Sequence, residues 1–200
     1  MRVVVTTAAA AALLTAVAMP AGARIDTTRP GTWCGGTLWR LMTLSDTSRY
    51  SVGWAPSGTS VGAIAKLPAP ARIIAARSTI FQKHLWQIQA VIERYRVASN
   101  GEIVLQLFDI TSATYMNAYM PSPKCLSSST RERAQIVAAR NAFVDACPAP
   151  QVTWQLLGAT AKLTGVGFWN PVKTTAGALP NGAELRPLTG FELLNGCGKG

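Results

Sequence analysis

"HLWQIQAVIERYRV", residues 84 to 97, decides how the chain is read. Trp86, Ile88, Ala90 and Ile92 alternate with the polar Gln87 and Gln89, and a period of two means a strand with one face turned to a core. "SNGE" at 99 to 102 carries the Asn-Gly signal of a tight hairpin. Two more strand-like runs follow, "IVLQLFD" at 103 to 109 and "TYMNAYM" at 114 to 120. Pro121 and Pro123 then remove the backbone donors that a continuing sheet would need. Successive side chains of a strand point to opposite faces. Ile103, Leu105 and Leu107 are therefore expected inside, with Gln106 and Phe108 outside. Thr114, Met116, Ala118 and Met120 face in, while Tyr115, Asn117 and Tyr119 face out.

Toward the C-terminus the period changes. In "STRERAQIVAARNAFVDAC" (129 to 147) Ile136, Ala139, Ala142, Phe143 and Cys147 form one apolar stripe of a helix, with Ser129 and Glu132 as its capping box. "TWQLLGATAKLTGVGFW" (153 to 169) and "AELRPLTGFELL" (183 to 194) read as two further strands, joined through Pro180, Asn181 and Gly182. The order strand, strand, strand, helix, strand, strand predicts a mainly β protein with one helix, a five-stranded OB-like Greek-key barrel. Gly165 and Gly167 suit the bends of such a small barrel.

Toward the N-terminus, residues 24 to 80 are rich in Gly, Pro, Ser and Thr, and read as an arm laid across the barrel domain of residues 81 to 200. "TSVGAIAKLPAP" holds a short helix, capped by Thr59 and ended by Pro68. Trp33, Trp39 and Trp54 argue that the arm is docked, because exposed indoles of this number are costly. Residues 1 to 23 have the layout of a secretory signal: Arg2, the apolar run "VVVTTAAAAALLTAVAM", and the small residues "AGA" before Arg24. A secreted or periplasmic protein without a membrane span is expected. The chain carries 19 basic against 9 acidic residues, and the leader removes only Arg2. That surplus bears on partners rather than on fold, and admits an anionic polymer (nucleic acid or polysaccharide) or an acidic envelope protein.

Four cysteines, Cys34, Cys125, Cys147 and Cys197, suit two disulfides in an oxidising compartment. Of three connectivities, Cys125–Cys147 with Cys34–Cys197 is preferred, since the first pair flanks the helix and the second ties the ends. Reach limits that choice. A helix over 130 to 147 spans ~26 Å, whereas the connection back to Cys125 covers about 18 Å and a disulfide adds about 6 Å. Either the helix shortens to about 132 to 144, or the pairing differs. The absence of Cys-x-x-Cys and the single histidine, His84, speak against a zinc site, and no cofactor is expected.

The chain resembles a family of uncharacterised secreted bacterial proteins in "CGGTLWRLMTLSD" (34 to 46), "LPAP" (67 to 70) and "GVGFWNPVKTTAGALPNGAELRPL" (165 to 188). The family pattern places "KTLSD" in the first block and "GVGFFDFxHGQTGVAPNGIELHPV" in the last. The resemblance implies secretion and an OB-like barrel, and lends no activity. Where the pattern has Asp and two His, this chain has Asn170, Lys173 and Arg186, which do not ligate divalent cations or act as bases as those groups would. The loop therefore reads as a basic rim.

His84 reads as a structural residue at a strand entry, and the cysteines are expected to be oxidised. Glu102 and Asp109 are expected on opposite faces, so the carboxylates show no informative pairing. Binding is then the expected class, with a nuclease-type hydrolase or an envelope interaction protein as alternatives. OB barrels present the outer face of their second and third strands and two flanking loops to ligands. That face predicts Arg94, Tyr95, Arg96, Phe108, Tyr115, Asn117, Tyr119, Trp169 and Lys173 as ligand-binding residues, with Asn170 beside them. Rings to stack bases and cations to meet phosphates are what a single-stranded polyanion requires.

Overall fold

The computed structural model describes residues 34–197; the expected signal segment and Trp33 lie outside them. In chain order the elements are α1 (Trp39–Met42), β1 (Gly53–Gly58), α2 (Val61–Ala65), β2 (His84–Val97), β3 (Ile103–Asp109), β4 (Thr114–Met120), α3 (Arg133–Ala146), β5 (Gln155–Trp169) and β6 (Ala183–Asn195). The protein is mainly β with one sizeable helix. It has six strands, not the five expected. The extra strand, β1, comes from the arm and pairs in parallel with the start of β2, Ser57 opposite Trp86. Its sequence "GWAPSG" has no alternation, because it adds to the sheet through its backbone and buries no face of its own.

The other five strands pair around a ring. β2 is antiparallel to both β3 and β5, β3 to β4, and β6 to β5. β4 meets β6 in parallel at Ala118 and Leu185, which closes the circuit. Ile88, Ile92, Leu105, Met116, Leu163 and Leu185 fill the inside, each 0–1 % exposed. Gly167 is required by close approach: a Cβ there would lie 2.1 Å from the carbonyl oxygen of Phe81.

The helix α3 packs Ile136, Ala139 and Phe143 inward, and leaves Ala142 exposed. Phe143 meets Tyr95 and Phe191 edge-on at 5.3 and 5.5 Å. The capping box does not form. Glu132 takes a left-handed conformation (φ 53°) with no side-chain cap, and Ser129 bonds Ser127 instead. The reason lies in Arg131, whose N–H donates to the Leu44 carbonyl while its guanidinium donates to the carbonyls of Arg49 and Val52. The segment before the helix is thereby held to the arm.

The disulfides are Cys34–Cys125 and Cys147–Cys197, not the pairs preferred from the sequence. The helix runs to Ala146 and aligns its end with β6, so Cys147 meets Cys197 just past that strand. Cys125 faces the arm, where its carbonyl accepts the Trp39 indole N–H at 3.2 Å. No helix among the described residues is long and apolar enough to cross a membrane.

The described part of the arm is docked. Leu44 and Val52 join Leu85, Leu126, Ile136 and Val166 in a second cluster, and Val61 and Ile64 enter the main core. Arg77 is buried against Asp46 at 2.9 Å and also donates to the carbonyls of Leu41 and Gln82. The cap of α2 is Ser60 rather than Thr59, its hydroxyl accepting from the Ala63 N–H. Asp109 accepts the Gly62 N–H at 3.1 Å, and Asn181 donates to the carbonyls of Ile64, Ala65 and Leu67. Burial alone would raise the Asp109 pKa, but hydrogen bonds from Gly62, Ser112 and Thr111 outweigh it and hold the carboxyl below its usual range.

Candidate functional site

The outward side chains of β3 and β4 form two halves with different fates. Register sets the pairs: Val104 opposite Tyr119, Gln106 opposite Asn117, Phe108 opposite Tyr115. The parity read from the sequence holds along both strands. What the sequence did not reveal is the cover.

Over the first half lies the connection between β5 and β6, residues 170–182. Asn117 donates to the Ala176 carbonyl at 3.1 Å and is fully buried. Gly177, at φ +81°, passes so close that a Cβ there would sit 2.5 Å from the Gln106 amide nitrogen and 2.7 Å from the Asn117 amide oxygen. Beside them the Arg186 guanidinium lies 4.2 Å from the centroid of the Tyr119 ring, with Trp39 of the arm at 5.8 Å. Arg186 is only 7 % exposed, so it is no part of a basic rim. Its two nitrogens grip both carboxylate oxygens of Glu102, Nε donating to Oε1 at 3.1 Å and Nη2 to Oε2.

Glu184 completes this cluster. Its Oε1 accepts from the Tyr119 hydroxyl (3.2 Å) and from the Asn170 amide (2.8 Å), while its buried Oε2 has no partner in the structure. Burial raises the carboxyl pKa to about 7, against the lowering effects of Arg186, Asn170 and Tyr119. Burial, with Glu184 close by, also pushes the Tyr119 hydroxyl far up. The carboxylates thus do pair informatively, around Arg186. Sequence parity missed this because Glu102 precedes its strand and Glu184 opens another.

The second half is half-exposed. Phe108 and Tyr115 stack obliquely with centroids 4.8 Å apart, and the Tyr115 hydroxyl donates to Glu93 at 2.8 Å. Arg94 and Arg96 each lie 5.1 Å from the centroid of the Trp154 indole. The Arg94 Nε donates to Gln106. A hollow of about 440 Å³ opens at the Phe108 end, between Gln89, Val91, Ile110 and Thr160. Trp154 was not among the predicted ligand residues, having been read as the start of a strand. It precedes β5 and reaches β2 in space, where Arg94 pairs with Leu156. No sequence pattern marks Trp154, whose approach to Arg94 and Arg96 is set by the pairing of β2 with β5.

Four predicted positions are corrected. Tyr95 is 1 % exposed, points into the core beside Phe143 and donates to the Pro148 carbonyl. The bulge between Ile92 and Arg94 shifts the parity of β2 and turns this residue inward. Trp169 is also 1 % exposed, packs on Phe81 at 4.8 Å and donates to Thr79. Asn117 and Tyr119 lie under the 170–182 connection and Arg186. Lys173 is exposed on that connection, and its side chain passes beside Gly182. Arg94, Arg96, Phe108 and Tyr115 stay part-exposed, the two arginines on β2 opposite Gln106 and Val104 and the two rings paired further along β3 and β4. Among the described residues no three His, Cys, Asp or Glu side chains converge to hold a metal ion.

Compared with known proteins, the chain matches no protein-family model and no curated protein.

Proposed function

We propose that this chain is a secreted, disulfide-tied binding module of OB-like Greek-key form, a member of the secreted family it resembles, and that it holds an anionic polymer without turning it over. The ring of strand pairings, with β4 and β6 parallel and a helix between β4 and β5, supports the barrel form. Two disulfides support an oxidising compartment.

The observation that carries the binding reading is the part-exposed stack of Arg94 and Arg96 on Trp154, beside Gln106 and Val104 in register, with the Phe108–Tyr115 pair two residues beyond Gln106 along β3. Each guanidinium rests against the indole, which holds a planar donor group in place and lowers the entropy lost on meeting a phosphate or sulfate. Phe108 and Tyr115 offer ring surface further along β3 and β4, and the hollow beside Phe108 offers depth. A single-stranded nucleic acid fits this pattern through stacked bases and neutralised phosphates.

The test is binding of a single-stranded oligonucleotide and of a sulfated polysaccharide across a salt series. For single strands log K falls with log salt by about 0.7 per neutralised phosphate. Arg94→Ala with Arg96→Ala is expected to flatten that slope by about 1.4 and weaken binding, with unchanged thermal stability. Equal slopes for wild type and variant would remove this face from the proposal. Capture by an envelope protein with no polymer binding would instead favour the interaction reading.

A further inference from the structure

The Cys34–Cys125 disulfide joins the arm to the turn Pro123–Cys125, with Cα atoms 5.4 Å apart. A cavity of about 470 Å³ opens against it, a volume within the ~300–1,000 Å³ of small-molecule sites. Arg40 from α1 and Lys124 from the turn stand in its wall with Trp39, Ser127 and Ser129. These two cations lie far apart in sequence, and the disulfide is what brings their segments together. The Trp39 indole N–H, donating to the Cys125 carbonyl, fixes the same junction a second time.

Charge in this cavity has one sign. Among the described residues no Asp or Glu lines it, and neither Arg40 nor Lys124 joins an ion pair. The acid nearest to Arg40 along the arm, Asp46, is committed to Arg77 and to the Ser48 hydroxyl. A hydroxyl donor is present as well. Ser127 Oγ accepts the Ser129 N–H at 3.1 Å and lies 2.9 Å from Ser129 Oγ. One hydroxyl hydrogen serves that contact, which leaves the other able to donate into the cavity. Trp39 and Leu126 supply an apolar wall.

We infer that this cavity binds a phosphate ester, its anion between Arg40 and Lys124 with a Ser127 or Ser129 hydroxyl donating, and its organic part against Trp39 and Leu126. Two cations and a hydroxyl suit a tetrahedral anion with several acceptor oxygens, and charge-assisted bonds are the stronger kind. The site is separate from the Arg94–Arg96 face and stands whether or not that face binds a polymer. It also belongs to the oxidised protein, because reduction of Cys34–Cys125 releases one wall from the other.

The experiment titrates inorganic phosphate into the full chain with both disulfides intact, by calorimetry at constant ionic strength. Saturable binding is expected, weakened about tenfold or more in Arg40→Gln with Lys124→Gln and unchanged in Arg72→Gln, an exposed cation that lines neither site. Arg40 and Lys124 are exposed, so circular dichroism should show both variants folded. Vesicles containing phosphatidylglycerol form a second arm. Retention on them that the Arg40/Lys124 variant abolishes assigns the phosphate to a lipid headgroup; binding of inorganic phosphate without such retention assigns it to a soluble ester. No saturable binding in either arm, or equal binding by wild type and the Arg40/Lys124 variant, overturns the inference.

Discussion

The two halves of the outward face of β3 and β4 share strands, parity and composition, yet one is sealed and the other open. Tyr119 and Tyr115 make the contrast plain. Both point outward, both donate a hydroxyl to a glutamate, and both neighbour an arginine. Tyr119 is roofed by Arg186 and held by a buried carboxyl, whereas Tyr115 bonds the half-exposed Glu93 at the surface. Position along the strand decides the difference, since residues 170–182 and the arm's Trp39 reach only one end. Outward thus does not mean accessible, and the candidate surface shrinks to the end that no described segment covers.

The sealed half depends on charge balance, so its largest weakness is Arg186. Replacing it with Met leaves Glu102 and Glu184 buried without their cation. A loss of about 3–5 kcal/mol in unfolding free energy is expected from denaturant titration. A loss under about 1 kcal/mol would mean that the cluster does not hold the cover.

Glu184 gives the next effect, and its sign follows from linkage. Its pKa is raised in the fold, from the ordinary 4.5 to about 7, so the native state holds the proton more tightly than the unfolded chain. The stabilisation is complete below about pH 4.5 and is lost as the pH climbs through about 7. Its full size is about 3 kcal/mol. Glu184→Gln should remove this fall from a stability–pH profile, with Arg186, Glu102, Tyr119 and Asn170 unchanged around it. An identical profile for the variant would refute the assignment.

Gly177→Ala tests the cover itself. A Cβ at φ +81° is strained and meets Gln106 and Asn117, so a loss of about 1–2 kcal/mol and faster proteolysis within 171–178 are expected. Unchanged cleavage would show that the connection is not held by this contact. The smallest test returns to the two tyrosines. Tyr119→Phe should cost about 1 kcal/mol or more, because a buried carboxyl oxygen loses a donor, while Tyr115→Phe should stay within about 0.5 kcal/mol. Equal costs would erase the distinction between the halves.

Much of the architecture was legible because it is periodic. The strands 103–109 and 114–120 emerge with the boundaries read from the sequence, and Leu105, Leu107, Met116 and Ala118 point inward as alternation requires. The cover was not legible, since 170–182 has no period and its contacts are set by tertiary approach at Gly177 and Asn117. The disulfides were misassigned for a related reason. A full helix and a Cys125–Cys147 bond compete for reach, and the protein keeps the helix and changes the partners. Of the candidate ligand residues, Arg94, Arg96, Phe108 and Tyr115 are part-exposed, whereas Tyr95, Asn117, Tyr119 and Trp169 are buried. Tyr95 was misread through an unseen bulge, and Trp154 was missed because it stands outside the strands whose parity was followed.

The central claim is that the part-exposed Arg94, Arg96, Trp154, Phe108 and Tyr115 take the polymer and that the buried Asn117, Tyr119 and Glu184 do not. Titration of a single-stranded oligonucleotide into isotopically labelled protein, followed by nuclear magnetic resonance, tests it most directly. The account predicts shifts at the Trp154 indole N–H, the Arg94 and Arg96 Nε–H groups and the Phe108 and Tyr115 rings, with Asn117, Tyr119 and Glu184 unmoved. Shifts centred on Tyr119 and residues 170–182, with Trp154 and the two arginines silent, would contradict it.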